Sequence, residues 1–156
     1  MRILGIDPGT GILGFGVIEA DNREAKLVDG GVIRTPAKED DAVRLQIIFE
    51  EITDIITQSK VHVVSVEKLF FAQNVTTAMT VAQARGVVLL AARQAGLDIY
   101  EYTPLQIKQA LTGYGRATKQ QIQEMVRVIL KLKSIPKPDD CADALAAAIT
   151  HSMTMR

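Results

Sequence analysis

Hydrophobic runs of two different periods alternate along the chain. Residues 2–6 ("RILGI") are apolar with little polar alternation, as in a strand buried on both faces. "DPGTG" breaks the run. Residues 15–21 ("FGVIEAD") resume extended character, "DNRE" reads as a turn, and residues 26–34 ("KLVDGGVIR") form a third strand pattern. Such short connections favour an antiparallel three-strand meander. From residue 42 to near 59 the period changes. Val43, Ile47, Ile48, Ile52, Ile55 and Ile56 recur at three- and four-residue steps, which predicts an amphipathic helix. Residues 61–67 ("VHVVSVE") are short and β-branched, hence a strand. Residues 76–95 read as a long helix, and "DIYEYT" as a strand. Thr103 and Gln106 frame a capping box with Pro104 at the first helical position. Thr118 and Gln121 frame a second box, opening a helix to near residue 132. Pro136 and Pro138 close the connection, and a last helix starts near Asp140.

The predicted order is β-β-β-α-β-α-β-α-α-α, without repeat, low-complexity segment or linker, so residues 1–156 are expected to form a single domain. The strand at 61–67 follows a long crossover helix and is expected parallel to the first strand and beside it. The expected fold class is α/β. Its sheet is mixed and five-stranded, an antiparallel meander plus parallel strands, flanked by helices.

Composition narrows the function classes. At 47% hydrophobic residues the chain is too apolar for disorder. "MRILGID" lacks a secretory pattern, and the apolar stretch 78–92 is interrupted by Gln83 and Arg85. The expectation is a soluble cytoplasmic protein without a membrane span. The single cysteine, Cys141, excludes an internal disulfide and a cysteine-built zinc site. A formal net charge of zero argues at first against nucleic acid. Masking four acids by metal turns the balance positive, which is compatible with DNA.

Asp7 and Glu67 each end a predicted buried strand, the edge where open α/β sheets bind ligands. Singly, Asp7 before Pro-Gly also reads as a turn residue, and Glu67 as a strand reaching solvent. Asp140 and Asp143 are three apart, on one helical face. Acids in a first helical turn also satisfy free N–H groups and oppose the macrodipole. The combination points further. Four oxygen donors without a cysteine or histidine cluster suit a hard cation such as Mg²⁺ or Mn²⁺. Two such ions about 4 Å apart can clamp an in-line displacement at phosphorus. The glycines of "GIDPGTGILGFG" are followed by strand-like residues, not by the helix a dinucleotide fingerprint requires. They are expected to allow a tight turn and close approach of a phosphate backbone.

Five segments occur in an order and spacing that resemble one family: "GIDPGTG...GFGVIE", "VEKLFFAQN", "QARGV", "IKQALTGYGRATKQQ" and "DDCADALAAAITH". Together they resemble the RuvC-type Holliday-junction resolvases, over essentially the whole chain. The resemblance implies an RNase H-like fold and a homodimer that nicks opposing strands of four-way junction DNA in recombination and repair. It implies Mg²⁺, two ions per site, with Mn²⁺ able to substitute. It carries catalytic and metal-binding roles onto Asp7, Glu67, Asp140 and Asp143; some members have His where Asp140 stands. It places a junction-inserting aromatic at Phe70, with Phe71 as its support or as core. Lys108 and Lys119 match lysines near the scissile phosphate, both read here as early in helices. Arg116, in the loop "TGYGR", is a candidate phosphate contact. The RuvA–RuvB branch-migration complex is the implied partner.

Other residues read as structural. His62 is expected within a strand, His151 near a helix end, and Cys141 as a small buried side chain. The helix at 76–95 is apolar on most of its circumference, so a symmetric dimer interface is expected to cover its second side. Three rival readings stand beside the resolvase. A YqgF-type nuclease acting on RNA shares the opening motif but fits the ending and the aromatic pair less well. An actin-like ATPase or sugar kinase needs two such domains. A non-catalytic junction-binding protein does not need all four acids.

Overall fold

The computed structural model describes residues 1–9, 11–68 and 75–155. The run "RILGID" forms β1 (Arg2–Asp7), whose Ile3, Leu4 and Ile6 are fully buried, as an unalternating apolar pattern requires. β2 (Ile12–Asp21) and β3 (Glu24–Arg34) follow antiparallel. Their turn places Asn22 and Arg23 at positive φ, the left-handed backbone of a tight hairpin. β4 (Val63–Glu67) lies parallel to β1, and β5 (Asp98–Tyr102) parallel to β4. The sheet order is β3-β2-β1-β4-β5, the expected mixed five-stranded arrangement.

The two sheet faces carry separate cores. On one, α1 (Asp41–Gln58) buries Ile48, Ile52, Ile55 and Ile56, and α2 (Val75–Gln94) buries Ala84, Val88, Ala91 and Ala92; both sets pack on Leu4, Ile6, Val64 and Val66. On the other, α3 (Pro104–Thr112), α4 (Lys119–Ile129) and α5 (Asp139–Thr154) pack on Ile3, Ile18 and Val63. Both capping boxes form: Thr103 accepts from Gln106 N, and Thr118 from Gln121 N.

Several boundaries differ from the predicted ones. β2 starts at Ile12, not residue 15, because its glycines pair in register rather than break the strand. β3 starts at Glu24 and absorbs one extra residue, Val28, as a bulge opposite Val17 and Ile18. β4 starts at Val63. His62 precedes it rather than lying within it, and its Nδ1 accepts from Arg2 N at 2.9 Å. α4 ends at Ile129, with Lys131 at positive φ just beyond.

The glycines of β1 and β2 correct a larger expectation. They do not admit a phosphate backbone; they admit α5. A β-carbon at Gly5 would overlap the Ala144 carbonyl, one at Gly14 the Asp140 carbonyl, and one at Gly16 the Leu145 side chain. Gly5 pairs with Gly16, and Asp7 with Gly14, so these positions form a flat floor beneath the alanine-rich helix. Ser65 fixes the same helix from β4 by donating to the Ala147 carbonyl at 2.7 Å.

α2 is long and apolar enough to cross a membrane by length and composition, yet one of its faces packs on the sheet. It is not buried all round within one chain: Val75, Met79 and Leu90 are exposed.

Candidate active site

Three elements bring four acids to one edge. Asp7 ends β1 and Glu67 ends β4. These strands pair Ile3 with Val63 and Gly5 with Ser65, so the same register sets Asp7 beside Glu67. Strand alternation points both toward the face that Gly5 and Ser65 share, under α5. The first two turns of α5 then add Asp140 and Asp143. The backbone of Asp140 rests directly over Gly14, the partner of Asp7.

The electrostatics show how closely these groups interact. Burial, reinforced by Glu67, Asp143 and Asp140, pushes the Asp7 carboxyl up to about 9. Asp7 holds its proton and hydrogen-bonds Glu67. Burial also raises Glu67; the hydrogen bond from Asp7, and then the charges of Lys119 and Lys108, oppose that rise. Burial raises Asp143 against the opposing charge of Lys119.

Lys119 is the first residue of α4, where the helix N-terminus favours anions. Its Nζ lies 3.5 Å from both Asp143 Oδ2 and Asp139 Oδ2. Partial burial disfavours its charge, but the two aspartates outweigh this and hold its pKa above the ordinary lysine value. Lys108 is the fifth residue of the nine-residue α3, so the expected early position holds for Lys119 alone. Both lysines line a cleft of about 220 Å³ with Glu67, Asp143, Ile107 and Ile122. Arg116 is exposed on the α3–α4 loop and is not among the residues lining this cleft. Phe70 and Phe71 lie outside the described residues.

Directly after Pro138, Asp139 sits one residue before Asp140 on the helix, where the sequence favours a cap or a solvent-facing position. It is half-exposed, but Pro138 is the capping residue and the Asp139 carboxylate shares Lys119 with Asp143. The signal was present in the sequence. Residues 139 and 143 are four apart, which also places them on one face. The structural readings of two other residues agree with their surroundings. His151 Nδ1 lies 2.8 Å from the Tyr102 hydroxyl, and its ring packs against Tyr100 at 4.5 Å. Cys141 is buried, and desolvation pushes its thiol up to about 11, far from a thiolate nucleophile.

The donors suit a hard cation by chemistry, being carboxylate oxygens crowded in a desolvated edge. They are not closed into a shell. Among the described residues no three Asp, Glu, His or Cys side chains are arranged to hold a metal ion, and Asp143 faces Lys119 instead.

Comparison with known proteins places this geometry. The family model described as crossover junction endodeoxyribonuclease RuvC matches residues 3–151. The RuvC of Heliobacterium modesticaldum is 58% identical over 156 residues, covering 99% of this chain and 96% of that protein. The solved structure of Thermus thermophilus RuvC is 40% identical, with a TM-score of 0.94 over 100% of this chain and 96% of that one. The same protein in complex with Holliday junction substrate is similar at 38% identity and a TM-score of 0.92, with the same coverage. A carboxylate edge on an RNase H-like sheet, matched along nearly its whole length by these relatives, puts this chain in the RuvC family of crossover junction endodeoxyribonucleases.

Proposed function

We propose that this protein resolves four-way DNA junctions by paired, symmetric, metal-dependent nicks, with Asp7, Glu67, Asp140 and Asp143 as its catalytic acids. The observation that carries this reading is the edge where β1 and β4 end side by side, setting Asp7 beside Glu67 with the start of α5 delivering Asp140 and Asp143 over them, a crowding that also raises the Asp7 carboxyl. A like-charged cluster of this kind needs positive charge to ionise fully. Mg²⁺ supplies it in this reading, two ions per site, with Mn²⁺ as a substitute. Held by Asp7, Glu67, Asp140 and Asp143, such cations would offset the phosphate charge and activate water for in-line attack. Water adds across one P–O bond, leaving a phosphate on one end of the nick and a hydroxyl on the other.

The chain's own residues divide the remaining work. Asp7 would have to give up its proton for both members of the Asp7–Glu67 pair to act as ligands. Lys108 and Lys119, which face Glu67, stabilise charge on the phosphate within the cleft. Asp143, now paired with Lys119, would be a ligand for such a cation once that ion pair opened. Phe70 stacks on an unpaired base at the crossover.

Two coordinated nicks need two sites. The exposed apolar side chains of α2 support a homodimer built on that helix. A single domain, a cytoplasmic location and a link to the RuvA–RuvB complex complete the proposal.

The test is a mobile four-way junction incubated with the protein and Mg²⁺. Paired symmetric nicks that vanish with chelator support the reading. Asp7→Asn or Glu67→Gln should abolish the nicks while leaving junction binding near normal, because phosphate contacts and metal chemistry are separate. Nicking at wild-type rates by either variant would overturn the assignment of the acids. A junction retarded but never cut would overturn the enzyme.

A further inference from the structure

Among the described residues four arginines are half-buried: Arg2, Arg44, Arg85 and Arg127. Three face a glutamate. Arg2 Nε lies 3.4 Å from Glu19, Arg127 Nε 3.1 Å from Glu124, and Arg85 pairs with Glu101. Arg44 is different. Its Nε donates to the neutral Thr35 hydroxyl at 3.1 Å, and no carboxylate among the described residues is paired with it. A guanidinium carries five N–H donors in a planar fork, and one bond to a hydroxyl leaves most of them free. Drawing that charge partly out of water without a counter-charge is unfavourable, and an anion would relieve it.

The position of Arg44 says which anion. It stands in the first turn of α1 and lines a small cavity of about 20 Å³ with Gly9, Gly11, Thr35, Asp41, Thr80 and Gln83. Gly9 and Gly11 belong to the turn that directly follows Asp7. Gly11 has φ +74, and a β-carbon there would stand 3.5 Å from Arg44 Nη2. Thr35 ties this arrangement together: it accepts from Arg44, and its N–H donates to the Gly11 carbonyl at 3.0 Å. The guanidinium edge is therefore aimed at the turn beside the catalytic acids, from the α1–α2 side of the sheet. A cavity this small admits a water or a single oxygen, not a nucleotide. Its ligand must be one oxygen presented by a larger molecule lying across the edge. Asp41, the one acid in the lining, disfavours a free dianion there.

We propose that Arg44, oriented by Thr35, binds a phosphodiester of the DNA strand adjacent to the one cut at Asp7 and Glu67. This rests on the junction-cleaving reading above. A charge-assisted bond from the guanidinium to one phosphate oxygen fits this space, and one such contact neutralises one phosphate.

The experiment measures four-way junction affinity in chelator, where no cutting occurs, across about 50–200 mM salt. Wild type is compared with Arg44→Ala, Arg44→Gln and Arg44→Lys. Gln is neutral yet can still donate to Thr35, which keeps the test open where Ala fails to fold. The neutral variants should lose roughly tenfold in affinity at the low-salt end, and their log–log salt slope should shrink by about 0.9. Lys should restore the slope without restoring the full affinity, because it lacks the fork. A neutral variant with the wild-type slope overturns the proposal, whether or not its melting temperature falls. A lower melting temperature with an intact slope assigns Arg44 to bracing the turn. A wild-type protein that fails to bind or cut the junction overturns the proposed function itself, a separate outcome.

Discussion

Gly5 of β1 lies so close beneath Ala144 of α5 that a β-carbon added to Gly5 would overlap the Ala144 carbonyl oxygen. At Gly5 and Gly14 the helix backbone thus rests directly on strand backbone, with side-chain packing around these points. The approach is fixed by the backbone on both sides, which leaves little freedom in where the helix start falls. Asp140 and Asp143 are delivered to the end of β1 by this packing, four or fewer residues from the contact.

Gly5→Ala should therefore destabilise the protein by about 3 kcal/mol, the upper part of the usual overpacking range, because backbone cannot rotate away as a side chain can. Cleavage should fall with it, as α5 is levered off the acids. Gly86, in α2, is the control: a β-carbon there meets nothing within 4 Å. On the Met79→Glu, Leu90→Glu background, used because Gly86 shares the helical face of those residues, Gly86→Ala should be neutral or gain up to about 1 kcal/mol from helix propensity. Urea unfolding of each variant against its own parent checks the pair, and equal changes in stability would remove the close-packing account.

The raised Asp7 carboxyl predicts a pH dependence of the metal-free protein. Unfolded, the group ionises near its ordinary 3.8; folded, it keeps its proton to about 9. Between these values the folded state binds the extra proton, so this group's contribution to stability is full below about pH 4 and declines as pH rises toward 9. Asp7→Asn removes the decline. In chelator the variant should gain on wild type as pH rises from 5 to 8, measured by urea unfolding at both. A gap that is constant or narrows with pH would refute the coupling of Asp7 to its neighbours.

The proposed dimer surface can be narrowed to one face of α2. Val88 and Ala91 are buried in the chain's own core, so a charge at either should unfold the protein and report nothing about assembly. Beyond Val75 at the helix start, Met79 and Leu90 are the exposed large apolar positions of α2, at 62% and 52%. Met79→Glu with Leu90→Glu should give a folded monomer by sedimentation, with the melting temperature of the monomer fold retained. A double variant that remains dimeric would move the interface off this face.

The order of elements and the meander were legible because strand runs and helix periods here are strong, and both capping boxes were written out as Thr-x-x-Gln. The acids were legible because strand ends and three-residue helical spacing are local patterns. What was not legible was tertiary. The glycines of β1 and β2 carry no sign of what approaches them, and α5 is distant in sequence. Arg44 resembled any charge on an amphipathic helix until its lack of a carboxylate partner could be seen among the described residues. The face of α2 that meets the sheet was hidden because the helix is apolar nearly all round.

The three aspartates at the start of α5 should separate by function. Asp143 lines the cleft with Glu67, and burial raises its carboxyl, so in the proposed mechanism Asp143→Asn removes a metal ligand. It should be inactive while folded and junction-bound. Asp140 acts on Asp7 through charge, and Asp140→Asn should be severely impaired yet not silent. Asp139 touches the site through Lys119, at 3.5 Å and half-exposed, where an ion pair is worth at most about 1 kcal/mol, and adds only the last-ranked charge effect on Asp143. Its loss leaves Lys119 held by Asp143 at the same distance. Asp139→Asn should therefore keep its melting temperature and most of its cleavage. A double-mutant cycle makes the distinction sharp. If Asp139 works only by holding Lys119, Asp139→Asn should change nothing further once Lys119→Ala has been made. An Asp139→Asn protein as inactive as Asp143→Asn, while folded and junction-bound, would mean that the helix presents a different face to Asp7.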